Sequence, residues 1–190
     1  MPVVSALLFG LVLQGKTFAA VPQRWSNPGY LQVWWVDSPN FGRRPDSAVI
    51  DTVVVHHTAN DSLEGTVKWF FNPESQVSAH YTIGQDGSIV QQVLTWQRAW
   101  HAGVSRDVEG RDNLNDFSIG IELVNIGDGK TPYPEAQLNA LAFLIESLKR
   151  RHPLRYITRH RFVAQPAGRK PDPAGFPWQR LEGLGLKIVK

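Results

Sequence analysis

The chain has 190 residues, of which 42% are hydrophobic, so it is long and apolar enough for one domain with a substantial core. Its formal net charge of +3 comes from scattered lysines and arginines, which does not favour a nucleic-acid partner. The one dense basic group, residues 149–152, is expected at the end of a helix, where the helix dipole favours cations. The absence of cysteine excludes disulfides, thiolate metal ligands and a cysteine nucleophile, so any metal must be held by His, Asp or Glu.

Residues 3–13 form an apolar run of the length found in secretory signal peptides, too short to span a bilayer as a helix. The small residues Thr17 and Ala19 can occupy the two recognition positions before a cleavage site, although no basic residue precedes the run. We therefore predict a signal peptide over residues 1–20 and a protein exported to the periplasm or secreted, with no transmembrane span. The alternative is an N-terminal helix packed on the domain, and then the protein would be cytoplasmic.

Residues 10–17 (GLVLQGKT) satisfy the phosphate-binding pattern G-x-x-x-x-G-K-[ST]. That pattern binds nucleotides only between a buried strand and a long helix. Here the interior of the loop is Leu-Val-Leu, and Pro22 ends any long helix that could follow. We therefore predict that this segment binds no nucleotide.

The predicted domain covers residues 21–190 and begins with an irregular lead-in, residues 21–45, that is rich in Trp, Pro, Gly and Asn. Residues 50–56 form a β-branched run that ends in polar residues, which predicts a buried central strand. Asp61 or Ser62 can cap the helix that follows, because the next apolar residues recur with a helical period.

The second half of the domain continues the alternation of strands and helices. Residues 80–93 predict a hairpin that turns at Asp86-Gly87, and residues 118–124 predict a strand with strict alternation. A long helix is predicted from Pro134 to just before Pro153, followed by a last short strand at residues 156–158. This order predicts a single α/β domain with a central mixed β-sheet flanked by helices.

Three candidate metal ligands lie where this layout brings strand ends together. His56 ends the first central strand, His160 follows the last strand, and Asp172 lies in the adjoining loop. Two imidazoles and one carboxylate suit catalytic zinc, with the fourth position left for water. Because neighbouring strand residues face opposite sides, only one of His56 and His57 can reach such a site. The alternative for each histidine is a structural role at a strand end, and this applies more strongly to the other three: His80, His101 and His152.

Glu122 interrupts the apolar alternation of the 118–124 strand and shares a face with Ser118 and Gly120. It is either a surface carboxylate or a buried one that takes a proton from the attacking water. Lys170 precedes Asp172 by two residues and is either a solvated loop lysine or a cation that stabilises an oxyanion.

Taken together, these elements resemble the zinc-dependent N-acetylmuramoyl-L-alanine amidases, the type 2 amidase family, which includes the peptidoglycan recognition proteins. The matching segments follow family order across about residues 37–178: residues 53–59, 77–91, 99–105, 115–125, 158–160 and 166–173. Within the family, the chain is most similar to bacterial amidases that act on muropeptides and anhydro-muropeptides.

The resemblance implies one Zn²⁺ held by His56, His160 and Asp172, with Glu122 as the catalytic acid and base and Lys170 as the partner of the oxyanion. The substrate would be peptidoglycan or a muropeptide, cut between N-acetylmuramic acid, or its 1,6-anhydro form, and L-alanine. The implied substrate-binding residues are Trp100, His101, Ala102, Gly103, Arg111 and Asn115. A non-catalytic peptidoglycan-binding protein is the alternative, although such relatives generally lack a zinc ligand.

The sequence departs from the family at two places. The stretch between His160 and Asp172 is slightly longer than is usual, which would shift the loop that carries Lys170. Some relatives use a tyrosine near the zinc, but the corresponding position here is Ala79, so Tyr81 receives no catalytic role.

Overall fold

A seven-stranded mixed sheet forms the centre of the structure, a computed structural model that describes residues 12–13, 16–17 and 33–190. The strands are β1 (Val12–Leu13), β2 (Lys16–Thr17), β3 (Val33–Trp35), β4 (Phe41–Arg43), β5 (Thr52–His57), β6 (Tyr81–Ile83), β7 (Ile89–Gln91), β8 (Gln97–Ala99), β9 (Ser118–Leu123), β10 (Tyr156–Arg159) and β11 (Lys187–Val189). The helices are α1 (Leu63–Phe71), α2 (Glu135–Lys149) and α3 (His160–Val163), with single 3₁₀ turns at Pro73–Ser75, Leu114–Asp116 and Trp178–Leu181. This architecture confirms the predicted α/β class with a central mixed sheet.

The order of strands in the main sheet is β11-β10-β5-β9-β6-β7-β3. Strands β10, β5, β9 and β6 run parallel to one another, so their carboxyl ends meet at one edge. Strands β6 and β7 form the predicted antiparallel hairpin, and Gly87 in its turn has a φ of +86°. In the register between β5 and β9, His56 lies directly opposite Glu122.

The predicted N-terminal features are described only in part. Strand β1 pairs antiparallel with β2, and the rest of the predicted signal peptide lies outside the described residues, as does the first part of the lead-in. The described part of the lead-in is more regular than expected, because β3 joins the edge of the main sheet and β4 pairs with β8. Among the described residues, no helix has the length and apolar content needed to cross a bilayer.

The main hydrophobic core lies between α2 and one face of the sheet. The buried side of α2 presents Leu141, Ile145 and Leu148 to this core, and β9 contributes Ile119 and Ile121. Every residue of β5 is buried, as predicted for a central strand. Since side chains alternate along a strand, Glu122 and His56 lie on the opposite face of the sheet, away from α2.

A smaller core covers part of that second face. It contains Val54, Ala102, Leu114, Phe117 and Val163, and thus joins the 101–117 segment and α3 to the sheet. His101, Ala102 and α3 lie near the carboxyl ends of β5 and β10, whereas Leu114 and Phe117 lie just before the first residue of β9. The fold therefore builds its candidate site between this second layer and the end of the sheet.

Candidate metal centre and active site

The three predicted metal ligands come together at the carboxyl ends of neighbouring parallel strands. His56 is the penultimate residue of β5, and His160 begins α3 directly after β10, the strand next to β5. Asp172 reaches the same point from the loop that follows α3, and its carbonyl accepts a hydrogen bond from the Arg161 backbone N–H (2.8 Å). All three side chains are buried.

The ligand atoms form a nearly equilateral triangle. The Nδ1 atoms of His56 and His160 are 3.1 Å apart, and each lies 3.0 Å from Oδ2 of Asp172. Three ligands placed about 2 Å from one ion at tetrahedral angles would be separated by about 3.3 Å. The observed triangle therefore has the size that one small divalent cation requires.

The protonation of these groups also suits a cation. His160 donates from Nε2 to the Ala102 carbonyl (3.1 Å), so its Nδ1 is the ring nitrogen that faces Asp172. Burial lowers the pKa of His56 to about 4, so the His56 ring is neutral. Burial alone would raise the pKa of Asp172, but its contacts with the two rings hold that pKa far below the usual range. A carboxylate and two imidazole nitrogens thus converge on one point, and a shared cation would satisfy all three.

Glu122 lies beside the triangle but outside it. Its Oε1 is 4.0 Å from Nδ1 of His56, and its buried Oε2 has no hydrogen-bond partner among the described residues. Burial raises the pKa of Glu122 to about 8; the charge of Asp172 raises it as well, and the charge of Lys170 acts in the opposite direction. An unpartnered carboxyl group next to a candidate metal site is suited to accept and return a proton.

Lys170 is half-buried in the loop that carries Asp172. Its positive charge lowers the pKa of both Glu122 and His56, which places its charge within electrostatic range of the site. The longer loop predicted from the sequence therefore does not remove Lys170 from the site's surroundings.

His57 and Tyr133 hold the loop that carries Asp172, a role that the sequence patterns predict for neither residue. His57 faces away from His56, as the alternation predicts, and its Nδ1 accepts a hydrogen bond from the Ala174 backbone N–H (3.2 Å). The Tyr133 hydroxyl donates to the Ala174 carbonyl (3.0 Å). Both contacts lie two residues beyond Asp172, so they fix the position of that ligand.

Two of the predicted substrate-binding residues, His101 and Ala102, contact the candidate metal ligands. His101 and Ala102 are buried, and the Asn115 side-chain oxygen accepts hydrogen bonds from both of their backbone N–H groups (3.1 and 2.8 Å). Nδ1 of His101 lies 3.1 Å from Nε2 of His56. Gly103 is exposed and has a φ of +55°, and the neighbouring Trp100 is half-buried. Asn115 therefore shapes the segment that contacts both histidines of the candidate metal site.

Arg44 is a buried cation that stabilises residues 101–117 by hydrogen bonds to backbone carbonyls at and near the end of this segment. Its guanidinium donates hydrogen bonds to the carbonyls of Asn115 (2.7 Å), Ser118 (2.7 Å) and Thr95 (3.1 Å). No local sequence pattern predicts this role, because Arg44 lies in the lead-in, 71 to 74 residues from two of its partners.

Arg111 is a predicted substrate-binding residue that the structure does not bring to the candidate metal site. Its guanidinium donates to both carboxylate oxygens of Asp51 (3.0 and 3.2 Å) and to Asp107 (2.7 Å), and it lies over the Phe117 ring. Asp51 precedes β5, so five residues of extended chain, about 16 Å, separate it from His56. Arg111 therefore joins a charged network at the opposite end of the sheet.

A mixed-sheet fold with a two-histidine, one-aspartate site and an adjacent, largely enclosed glutamate defines a class of hydrolytic enzymes with a candidate metal centre. The family model described as N-acetylmuramoyl-L-alanine amidase matches residues 46–175. The chain belongs to this family and is an N-acetylmuramoyl-L-alanine amidase, which cleaves the bond between N-acetylmuramic acid and L-alanine in peptidoglycan material.

Comparisons with individual relatives, in sequence and in structure, support this family membership. The 1,6-anhydro-N-acetylmuramyl-L-alanine amidase AmpD of Citrobacter freundii is 36% identical over 168 residues, which covers 78% of this chain and 88% of AmpD. A crystal structure of an AmpD selenomethionine derivative superposes with a TM-score of 0.68 at 35% identity, covering 79% of this chain and 92% of AmpD. The Escherichia coli amidase AmiD, in complex with anhydro-N-acetylmuramic acid-L-Ala-D-γ-Glu-L-Lys, superposes with a TM-score of 0.65 at 33% identity, covering 76% of this chain and 61% of AmiD.

Proposed function

We propose that this amidase is zinc-dependent and acts on muropeptides, cleaving the amide that joins N-acetylmuramic acid, or its 1,6-anhydro form, to L-alanine of the stem peptide. The observation that carries this proposal is the convergence of three metal-ligand atoms, 3.0 to 3.1 Å apart, beside the unpartnered carboxyl group of Glu122. The muropeptide substrate is supported by AmiD, which is similar to this chain and binds an anhydro-muramyl tripeptide.

Zinc fits the donor set better than harder cations do. Two imidazole nitrogens and one carboxylate oxygen are common ligands of catalytic Zn²⁺, whereas Ca²⁺ and Mg²⁺ prefer more oxygen ligands. When bound there, the ion would polarise the scissile carbonyl and make a water molecule more acidic. We therefore assign His56, His160 and Asp172 to one Zn²⁺.

Glu122 would move the protons of the reaction. Its carboxylate takes a proton from the attacking water as the water oxygen bonds to the lactyl carbonyl carbon. The protonated Glu122 then gives that proton to the alanine nitrogen as the carbon–nitrogen bond breaks. The products are the muramyl carboxylic acid and a free amino terminus on the stem peptide.

Lys170 would stabilise the negative charge that forms on the carbonyl oxygen between these two steps. A fixed ammonium group near that oxygen favours the charged intermediate over the uncharged substrate. Its electrostatic influence on Glu122 and His56 supports a position close to the reacting atoms.

The experiment that tests this proposal is digestion of intact sacculi and of purified anhydro-muropeptides, with and without a chelator, with products identified by mass. We expect release of stem peptide, loss of activity on chelation, recovery on adding Zn²⁺, and one zinc per chain by metal analysis. A non-catalytic binding protein would instead retain the muropeptide uncleaved, and activity that survives complete removal of metal would contradict the zinc assignment.

We further propose that the protein is exported and that residues 1–20 are removed. The apolar run at residues 3–13 and the small residues Thr17 and Ala19 support this. Expression in a bacterial host followed by fractionation and N-terminal sequencing should give a periplasmic protein that begins near residue 21. An intact N-terminus in the cytoplasmic fraction would contradict export.

A further inference from the structure

The ring of His101 connects the metal centre to the interior of strand β9. Its Nδ1 lies 3.1 Å from Nε2 of His56, and its Nε2 lies 3.2 Å from the Ser118 hydroxyl oxygen. The Ser118 hydroxyl in turn donates to the backbone carbonyl of Leu114. These contacts form a continuous chain of hydrogen bonds from a fixed backbone carbonyl to a metal-binding histidine.

The direction of each bond follows from the protons available. Ser118 has a single hydroxyl proton, which it donates to the Leu114 carbonyl, so its oxygen accepts a hydrogen bond from Nε2–H of His101. The neutral His101 then has a lone pair on Nδ1, which accepts from Nε2–H of His56. With its proton on Nε2, His56 keeps a lone pair on Nδ1, the atom that lies 3.0 Å from the Asp172 carboxylate.

The structure holds the His101 ring in place for this task. A Cβ atom at Gly120 would lie 2.3 to 2.7 Å from three of the ring atoms, so only glycine leaves room for the ring above β9. The His101 backbone N–H is fixed by the Asn115 side chain (3.1 Å), and His101 is only 8% exposed. A residue so enclosed has little surface left for a substrate.

We propose that His101 is a positioning residue that fixes the His56 ring in the tautomer with a free Nδ1 and thereby sets the metal affinity of the site. The neighbouring Ala102 carbonyl does the same for His160 by accepting from its Nε2 (3.1 Å). Partners of this kind orient the rings of metal-binding histidines in general. This role differs from the substrate contact expected from the sequence, and it rests on the proposed zinc-dependent function.

The test compares zinc dissociation constants, measured by competition with a chelator, for three variants. His101→Leu removes the acceptor for His56 Nε2–H, so we expect zinc to bind about 10- to 100-fold more weakly. His101→Asn places a side-chain oxygen near the former Nδ1 position, so its affinity should return close to the wild-type value. His80→Asn is the control: His80 is also buried, its Nδ1 accepts from the Gly120 N–H (3.0 Å) and its ring packs edge-on against His101, but it contacts none of the three proposed metal ligands.

A second measurement uses the unaltered protein and does not depend on whether a variant folds. Nitrogen-15 NMR of the zinc-loaded protein should show His101 with its proton on Nε2 and none on Nδ1. A proton on Nδ1 of His101 would overturn the proposal, as would wild-type zinc affinity in a folded His101→Leu variant or equal weakening in His101→Leu and His101→Asn. Failure of the wild-type protein to bind zinc would instead contradict the proposed function itself.

Discussion

Replacing Glu122 by glutamine should separate catalysis from metal binding. The amide has the size of the carboxyl group but cannot take a proton from water, so kcat should fall by about 10²- to 10⁴-fold, the usual contribution of a general acid and base. At about 1.4 kcal/mol per tenfold change in rate, this loss corresponds to roughly 3 to 5 kcal/mol of transition-state stabilisation. Zinc content should not change, because Oε1 of Glu122 is 4.0 Å from Nδ1 of His56, well outside the 3.0 to 3.1 Å triangle of ligand atoms.

The assay is release of stem peptide from an anhydro-muropeptide, with zinc per chain measured on the same preparation. Glu64→Gln is a matched control, because Glu64 is half-exposed and pairs with Lys68 on the surface of α1. Thermal unfolding supplies a third readout: Glu122 is largely enclosed and its buried Oε2 has no hydrogen-bond partner among the described residues, so the neutral amide should not lower the Tm of the metal-free protein. Near wild-type turnover in Glu122→Gln would refute the assigned base, and loss of zinc together with activity would make Glu122 a ligand instead.

Three further changes test other parts of the structure. Lys170→Met should lower kcat about 10²- to 10³-fold with little change in zinc content, as expected for a lost oxyanion partner, and unchanged steady-state kinetics would contradict that role. Arg111→Ala should lower the free energy of unfolding by about 1 to 3 kcal/mol in urea titrations, because the buried Asp51 loses two hydrogen bonds and keeps, among the described side chains, only the Thr52 hydroxyl and the more distant Arg155. It should leave KM unchanged, and a raised KM would support a substrate contact for Arg111. Burial, followed by the charge of Arg44, lowers the pKa of His80 to about 3, so the unfolded chain binds one more proton than the folded chain between about pH 6.5 and 3. As the pH is lowered through this window, this ring should therefore decrease the free energy of unfolding by about 1.4 kcal/mol per pH unit. In urea titrations at several pH values, the free energy of unfolding of His80→Asn should depend on pH less steeply by that amount. An equal pH dependence in the two proteins would contradict a neutral buried His80.

The sequence predicted the elements whose patterns are local. The β-branched run of β5, the alternation in β9 and the helical period of α2 each reflect burial of one continuous face, so all three elements were predicted close to their observed bounds. Alternation also separated His56 from His57 and placed Glu122 on the face opposite Ile119 and Ile121, as the structure shows.

The features of the site that the sequence does not predict depend on contacts between distant segments, which leave no periodic pattern in the sequence. Arg44 supports the site through carbonyls more than 70 residues away, and residues 100–117 form turns whose path is set by side chains such as Asn115. The position of Arg111 could not be predicted for the same reason: an arginine near matching motifs has no local feature that shows which end of the sheet it reaches. Likewise, a histidine at a strand end does not by itself predict that His57 anchors the Asp172 loop, because its partner Ala174 is 117 residues away.

Strand β9 couples the stability of the fold to the geometry of the site. One face buries Ile119, Ile121 and Leu123 against α2, and burial of each such side chain contributes about 1.5 to 3 kcal/mol. The other face carries Gly120, which makes room for His101, and Glu122. A slip of one residue between β9 and β5 would turn the apolar side chains into the site and the carboxylate into the core. The hydrophobic face therefore fixes the register that sets Glu122 opposite His56, and this burial offsets the cost of keeping a carboxyl group there without a full set of hydrogen bonds.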